Sequence, residues 1–380
     1  MAPPAPSTRH PHNAIILATF AVLASAGAWF MRISPILNDV PVGFADISET
    51  GTFPNGMPVK QHFTGVKPLD DGLSFLVAAF IYGPTGWNEA LYWQQLHFLC
   101  QIAGMIAIMN VEACRERNQS SWLKYTALYA FLYQNIGACV IVPIWWILFH
   151  RLSATKSYFS QGRAVPLPYA RLILPATIIL YVLPTIAMFM PGNDLNTVQN
   201  ILAFWQVSPI LVNIPLWLAA PFVSSPTSTS TTSKAKTADL AHLKAIYGFF
   251  FVTSVAVHWY TIYGVSVSEN PSVTYASVWV PSTYKWKNDL SAGILYLFQC
   301  DWIVTGLVHM IPAFIAVCDV QRLLHGTVTG EQVIEAGMAA LSLTWLAGPG
   351  AALAAVWYWR EGKLALIEAK MSAGAVKKGL

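Results

Sequence analysis

The chain reads LSAGILYLFQCDWIVTGLVHMIPAFIAVC over residues 290–318, with one charged residue, Asp301, in the middle of the run. A helix needs about 20 apolar residues to span the hydrocarbon core of a bilayer, which is about 30 Å thick. This run is therefore long enough to cross a membrane as a helix. It decides the fold class, because further apolar segments long enough to cross a membrane occur along the rest of the chain.

Further apolar segments of similar length occur along the chain. They lie at residues 13–32, 91–112, 122–149, 169–190, 198–222, 240–265 and 338–359. A shorter apolar piece at 71–87 predicts a thin ninth span or a re-entrant half-helix. The sequence thus predicts an all-α fold, a polytopic transmembrane helical bundle of about eight spans. Residues 1–380 are expected to form a single membrane domain.

The composition agrees with a membrane protein. Only 11% of the residues are charged and 55% are hydrophobic, whereas a soluble domain carries about 25% charged residues. The net charge of +4 comes from scattered residues, so no basic patch is available for nucleic acid. The five cysteines have no disulfide or metal-site spacing. The lipid bilayer is therefore the expected partner, and the Ser/Thr-rich residues 224–237 are predicted to be a flexible loop between the fifth and sixth spans.

Asp301 is the main candidate for chemistry. A carboxylate in the middle of a membrane span costs roughly 3 kcal/mol or more, so its presence calls for a reason. Burial favours the protonated form of a carboxyl group, and a general acid must be protonated. Thr305 and His309 follow on the same helical face. The alternative is a neutral carboxyl group or an ion pair that only holds helices together.

The second span carries a polar stripe. Gln94, His97, Gln101 and Glu112 recur at helical spacing and are expected to face the bundle interior. Glu112 lies near the predicted membrane border, with Arg115 three positions later. Two readings of Glu112 therefore stay open, a catalytic carboxylate and an interfacial salt bridge.

Other candidates surround these acids. His258, in the sixth span, could orient or reload the acid, or could simply bond a backbone carbonyl between helices. Gln299 lies two residues before the acid. Tyr133, Trp259 and Trp302 could wall a cavity in which ring faces stabilise a carbocation. Together with His97, Gln94 and Gln101, these side chains form the predicted substrate-binding set.

Several catalytic motifs are missing from the sequence. It contains no Walker loop, no GxGxxG pattern followed by an acid, no HExxH and no supported GxSxG. Asp70-Asp71 begins a DDxxD pattern, but Ser74 occupies the last place. We therefore expect no metal, no organic cofactor and no diphosphate-bearing substrate.

The order of several short motifs resembles that of a known family. The motifs are Phe63-Thr64-Gly65 with Leu69-Asp70, Leu73 and Leu76-Val77; Val111-Glu112 with Arg115 and Asn118; Gly137 with Pro143, Trp145 and His150; His258-Trp259-Tyr260; and Leu297-Phe298-Gln299-Cys300-Asp301. Between about Thr64 and Trp357 the chain resembles the longer class of fungal integral-membrane terpene cyclases of meroterpenoid pathways. This is the class that acts in ascochlorin, ascofuranone and macrophorin biosynthesis.

The resemblance implies cyclisation of a prenylated, usually farnesylated, aromatic or quinone-like compound. Acid opening of a terminal epoxide or protonation of an alkene would start the reaction. Asp301 and Glu112 are the nearest matches to the two membrane carboxylates of the shorter cyclases, and the endoplasmic reticulum is the implied location. Cys300 stands where the broader group has Tyr.

A second hypothesis is a proton-coupled transporter or exporter of a secondary metabolite. Membrane Asp and His residues often form proton relays, so the residue types fit this hypothesis as well. The sequence has no detectable internal repeat, which favours the cyclase over inverted-repeat transporter folds.

Overall fold

The computed structural model describes residue 9 and residues 12–154, 158–223 and 237–376. The helices are α1 (His12–Asn38), α2 (Phe44–Thr50), α3 (Lys67–Phe80), α4 (Glu89–Cys114), α5 (Thr126–Ile136), α6 (Ala138–Ser153), α7 (Leu167–Met188), α8 (Leu195–Phe222), α9 (Leu240–Ser266), α10 (Tyr275–Trp279), α11 (Leu290–His325), α12 (Gly330–Ala347) and α13 (Pro349–Val376). No strand occurs within these described ranges. The predicted all-α membrane bundle is confirmed. Six helices, α1, α4, α7, α8, α9 and α11, are long and apolar enough to cross a membrane.

Helix α4 is the centre of the bundle. The Asn88 side chain caps its first turn by accepting a hydrogen bond from the backbone amide of Leu91 at 3.0 Å. Gly104 lets α9 approach closely, because a Cβ atom there would lie 3.3 Å from Cβ of Phe250. The polar stripe from Gln94 to Glu112 is buried, so its predicted inward orientation is confirmed.

The outer helices present apolar side chains to their surroundings. Ile36 on α1, Leu218 on α8, Val252 on α9 and Ile334 on α12 are more than half exposed. Lipid tails are the medium in which such surfaces are stable. This arrangement agrees with the low charge content of the chain.

The predicted continuous span at 122–149 is wrong. Helix α5 ends at Ile136 and α6 begins at Ala138, because Gly137 adopts φ +119° and ψ 142°. This conformation lies outside the helical region and is accessible mainly to glycine. The break therefore divides the predicted span into two shorter helices.

The predicted span at 338–359 is wrong for a similar reason. Gly348, with φ +92°, ends α12, and Pro349 begins α13. Proline is favoured in the first turn of a helix because its missing amide would have no intrahelical acceptor there. The amide of Gly350 instead donates to Oε1 of Gln101 at 2.8 Å.

The break at Gly137 leads to a testable prediction. Gly137→Ala should destabilise the fold by about 1–3 kcal/mol, because alanine adopts this backbone conformation at a cost. The added Cβ would also lie 2.5 Å from Sδ of Met31. Thermal unfolding in detergent would measure the loss. Gly248→Ala is the matched control, since nothing lies within 4 Å of its added Cβ; equal midpoints for both variants would contradict the prediction.

The short apolar segment near 71–87 forms α3, which starts at Lys67 and ends at Phe80. A helix of 14 residues is about 21 Å long, too short to cross the hydrocarbon core. Asp70 in its first turn accepts hydrogen bonds from the backbone amides of Thr64, Phe63 and Gly65. These bonds lower the pKa of Asp70 to about 2, and the bond from the Thr64 amide has the largest effect. The Phe63-Thr64-Gly65 motif with Asp70 therefore fixes the loop before α3.

Residues 224–236 lie outside the described residues. The flexible loop predicted at 224–237 therefore stays a prediction, as does the assignment of residues 1–380 to a single domain.

Candidate active site

A cavity of about 420 Å³ lies between α1, α3, α4, α8, α11 and the break that joins α5 to α6. Its volume falls within the usual range for small-molecule sites. Most of the wall is aliphatic or aromatic. The polar side chains on it include Asp301, Arg32, Gln134 and Asn135.

Asp301 is buried in α11 and lines this cavity. Its Oδ1 accepts a hydrogen bond from the backbone amide of Cys139 at 2.7 Å and one from Oγ1 of Thr305 at 3.2 Å. Cys139 lies in the first turn of α6, so the break at Gly137 supplies the free amide that Asp301 binds. Both donors point at the same oxygen. A proton on this carboxyl group is therefore expected on Oδ2.

Aromatic rings form much of the remaining wall. They are Phe44, Phe75, Phe80, Phe98, Tyr133, Tyr181, Trp205 and Phe298. The ring centroid of Phe80 lies 4.8 Å from that of Phe298 and 5.3 Å from that of Trp205. The Tyr181 hydroxyl donates to the carbonyl of Leu99 at 2.9 Å, which leaves its ring face as the cavity surface.

Two π-helical turns contribute to the cavity. Arg32 lies in the turn Trp29–Ile33 of α1, and Tyr181 lies in the turn Ile178–Val182 of α7. Each turn ends two residues before a proline, which cannot donate a backbone hydrogen bond. Each of the two π-helical turns therefore carries a side chain that lines the cavity.

His258 lies in a separate hydrogen-bonded chain. Nε1 of Trp302 donates to Nδ1 of His97 at 3.1 Å, and Nε2 of His97 lies 3.0 Å from Nδ1 of His258. Nε2 of His258 lies 3.1 Å from the carbonyl oxygen of Trp345. Because indole only donates, the chain assigns the proton to Nε2 in both neutral imidazoles. The hydrogen bonds of His258 thus reach His97 and α12, and none reaches Asp301.

The three predicted glutamines bond backbone carbonyls of neighbouring helices. Gln94 donates to α11 at 2.9 Å, Gln101 to α9 at 2.9 Å and Gln299 to α10 at 2.8 Å. Trp259 lies on the outer surface of α9 with 52% of its area exposed. None of the four is part of the cavity wall.

Glu112 belongs to a buried network of charges. Its Oε2 accepts from Nε of Arg115 at 2.9 Å, and its Oε1 accepts from Nη1 of Arg360 at 2.9 Å and from Nε1 of Trp357 at 3.0 Å. Arg115 also forms a two-point contact with Glu361, at 2.6 and 3.1 Å. All these groups are buried, so α4 and α13 are joined by paired charges.

The structure does not bring Glu112 to Asp301. Helices α4 and α11 run parallel, with His97 beside Trp302. Glu112 lies fifteen positions after His97 on α4, which corresponds to about 22 Å along the helix. The two carboxylates therefore occupy different levels of the bundle.

Comparison with known proteins identifies the family. The CtvD domain matches residues 14–365 of the chain, which is most of its length. The chain belongs to the CtvD family. No solved structure matches it.

Individual relatives agree with this assignment. The CtvD-family chain is 27% identical over 355 residues to "Terpene cyclase ascI" of Acremonium egyptiacum, a match that covers 89% of each protein. It is 24% identical over 320 residues to "Terpene cyclase DEP1" of Alternaria brassicicola, covering 77% of this chain and 83% of that one. It is also 24% identical over 326 residues to "FAD-dependent monooxygenase verC1" of Penicillium polonicum, covering 84% of this chain and 39% of that protein. The two relatives named as terpene cyclases support a terpene cyclase role for this membrane protein.

In the CtvD-family chain, the cavity wall contains Asp301 and Tyr133 from the predicted set. It also contains residues that the sequence analysis missed. Arg32 and Trp205 are among them. The predicted first span ends at Arg32, whereas the helix continues to Asn38; a charge inside an otherwise apolar helix is a usable signal. Trp205 had no signal beyond its residue type.

The described residues contain no group of three or more His, Cys, Asp and Glu side chains that could hold a metal ion. Asp70 and Asp71, which begin the incomplete DDxxD pattern, have different binding partners. Asp70 binds the preceding loop, and Asp71 pairs with Lys67 at 3.0 Å.

Proposed function

We propose that the chain is a membrane-bound terpene cyclase that acts on a prenylated aromatic or quinone-like precursor of a meroterpenoid. The precursor is farnesylated and carries a terminal epoxide. Its cyclisation starts with proton donation from Asp301 and needs neither a metal nor a diphosphate leaving group. We extend the proposal to a location in the endoplasmic reticulum membrane.

The position of Asp301 carries this proposal. A carboxyl group on the wall of an apolar, ring-lined cavity can hold a proton in a place where bulk water is scarce. The aromatic faces around it are suited to a developing carbocation, because their negative quadrupole attracts positive charge. A prenyl chain fits the remaining aliphatic wall.

The proposed step conserves all atoms of the substrate. The proton on Oδ2 of Asp301 moves to the epoxide oxygen, and the bond from that oxygen to the more substituted carbon breaks. The π electrons of the prenyl chain close one or more rings. Loss of a proton from carbon, or attack by a hydroxyl group of the substrate followed by loss of its proton, ends the cascade. The overall change is an isomerisation, so the acid is regenerated once a proton returns to Asp301.

The contacts of His258 support a positioning role in this reaction. Its chain through His97 fixes the ring of Trp302, the residue that follows Asp301 on α11. The paired charges around Glu112 support the structural alternative for that residue. Proton donation is therefore assigned to Asp301 alone.

The epoxide has support from one relative. The matched region of the verC1 protein makes up 39% of a chain named as an FAD-dependent monooxygenase. Flavin-dependent monooxygenases insert one oxygen atom into a substrate, and an epoxide is one product of such chemistry. A cyclase-like region within that protein therefore agrees with a cyclase that consumes an oxygenated prenyl chain.

Product analysis in heavy water tests the function and the initiating group together. Microsomes that contain the chain should convert a farnesylated phenol with a terminal epoxide into a cyclised product of unchanged mass. In D₂O, epoxide opening places deuterium on an exchangeable hydroxyl group. The product washed with H₂O should then carry no deuterium on carbon, whereas alkene protonation would leave one stable C–D bond.

Microsomes from the host without the chain provide the control. Unchanged substrate in both samples would contradict the cyclase proposal. Transport of the intact compound into proteoliposomes, driven by a proton gradient, would favour the exporter instead.

A further inference from the structure

Arg32 is a cation in the wall of the cavity. It lies in the π-helical turn of α1 and is half-buried. Its Nε donates to the carbonyl of Ile136 at 2.8 Å, and its Nη2 donates to the carbonyl of Asn135 at 2.8 Å. These are the last residues of α5, where backbone carbonyls lack intrahelical donors. The two bonds hold the guanidinium group in a fixed orientation.

The third nitrogen of this group is available. Nη1 of Arg32 donates to no described residue, and no acidic side chain of the described ranges forms an ion pair with Arg32. Asp39 and Asp301 line the same cavity, but neither lies within ion-pair distance of Arg32, so the free donor favours an oxygen acceptor on a ligand. The cavity is the space in which that acceptor would lie.

Two amide groups complete a polar edge beside Arg32. Nε2 of Gln134 donates to Oε1 and to the backbone carbonyl of Gln206, and Nδ2 of Asn135 donates to the carbonyl of Phe131. Their donors are thus in use, while their side-chain oxygens accept no hydrogen bond from the described residues. The edge therefore offers N–H donors from Arg32 and amide oxygen acceptors from Gln134 and Asn135.

From this arrangement we infer that Arg32 binds the oxygenated ring of the substrate. The matching chemistry is a ring hydroxyl group, which accepts from Nη1 and donates to an amide oxygen. The inference rests on the proposed function, because it names the part of the substrate that the polar edge recognises. The prenyl chain would occupy the apolar remainder of the cavity.

The positions of Arg32 and Asp301 also restrict the conformation of the bound prenyl chain. Arg32 binds the carbonyls on one side of Gly137, and Asp301 binds the amide of Cys139 on the other side. A ring held by Arg32 therefore lies near the same helix break as the acid. An extended prenyl chain would carry its terminal epoxide away from Asp301, so the bound chain folds back, as cyclisation itself requires.

Binding of two non-reactive probes tests this inference without turnover. The probes are a farnesylated phenol and the matching farnesylbenzene, both lacking an epoxide. Their dissociation constants would be measured by tryptophan fluorescence with the purified full chain in nanodiscs. Wild type should bind the phenol about tenfold to a hundredfold more tightly, as expected for a hydrogen bond to a charged group. Arg32→Gln should lose that preference while still binding farnesylbenzene.

Arg171→Gln serves as the matched control, because Arg171 is exposed and is not part of the cavity wall. Arg32→Lys is the second variant, used if Arg32→Gln does not fold. Lysine keeps the charge but lacks the planar guanidinium group that can bind both carbonyls and a ligand. This variant should therefore also lose most of the preference for the phenol. No preference in wild type, or a preference kept in the Arg32 variants, would overturn the inference. A preference in wild type without any cyclisation of the epoxide would support ring binding and overturn only the proposed function.

Discussion

Asp301→Asn is expected to lower the rate of cyclisation by about 10²- to 10⁴-fold, the usual contribution of a positioned general acid. Asparagine has nearly the same shape as aspartic acid. Its Oδ1 can still accept from the amide of Cys139 and from Thr305. It lacks the acidic proton that the substrate epoxide requires. The loss should therefore appear in kcat, measured as cyclised product per amount of folded protein, with little change in thermal stability.

Asp71→Asn is the matched control for this prediction. Asp71 is exposed, and its partner among the described residues is Lys67 on the surface of α3, an interaction of small value. The control should retain wild-type cyclisation. Full activity in Asp301→Asn would remove Asp301 from the chemistry, and a large loss of stability in that variant would assign it a structural role at the helix break instead.

The locations of the membrane helices could be predicted from the sequence because they depend on local properties. Length and apolarity alone identified the positions of α1, α4, α7, α8, α9 and α11. The breaks at Gly137 and Gly348 could not be found in this way. Glycine is frequent inside membrane helices, and a break forms only where other parts of the fold bind the freed backbone groups. Arg32 and Asp301 do so at the first break, and Gln101 does so at the second.

The candidate site was predictable only in part, for the same reason. Asp301 could be identified from a single helix, because its cost in a membrane is a local property. The cavity wall depends on which helices are neighbours. Periodicity on α4 grouped His97 with Glu112, yet the structure joins His97 to Trp302 and Glu112 to Arg360. A helical face of this length passes through more than one environment.

Glu112→Gln is expected to lower the free energy of unfolding by about 3–5 kcal/mol, the usual effect of removing one partner from a buried ion pair. Neutral glutamine leaves Arg360 buried without its carboxylate and leaves Arg115 with Glu361 alone. Thermal unfolding in detergent would measure the loss. Glu335→Gln is the matched control, because Glu335 is exposed on α12 and should tolerate the change.

A double variant separates the two readings of Glu112. The structural reading holds that the charge of Glu112 compensates that of Arg360. In that case the double variant Glu112→Gln/Arg360→Gln should lose less free energy of unfolding than the sum of the two single variants, because the second change removes the unpaired cation. Cyclisation per folded molecule should then remain close to wild type in Glu112→Gln, since Glu112 lies about 22 Å along the bundle from the level of Asp301. A fully stable Glu112→Gln variant that no longer cyclises substrate would contradict this account and establish Glu112 as the second catalytic carboxylate.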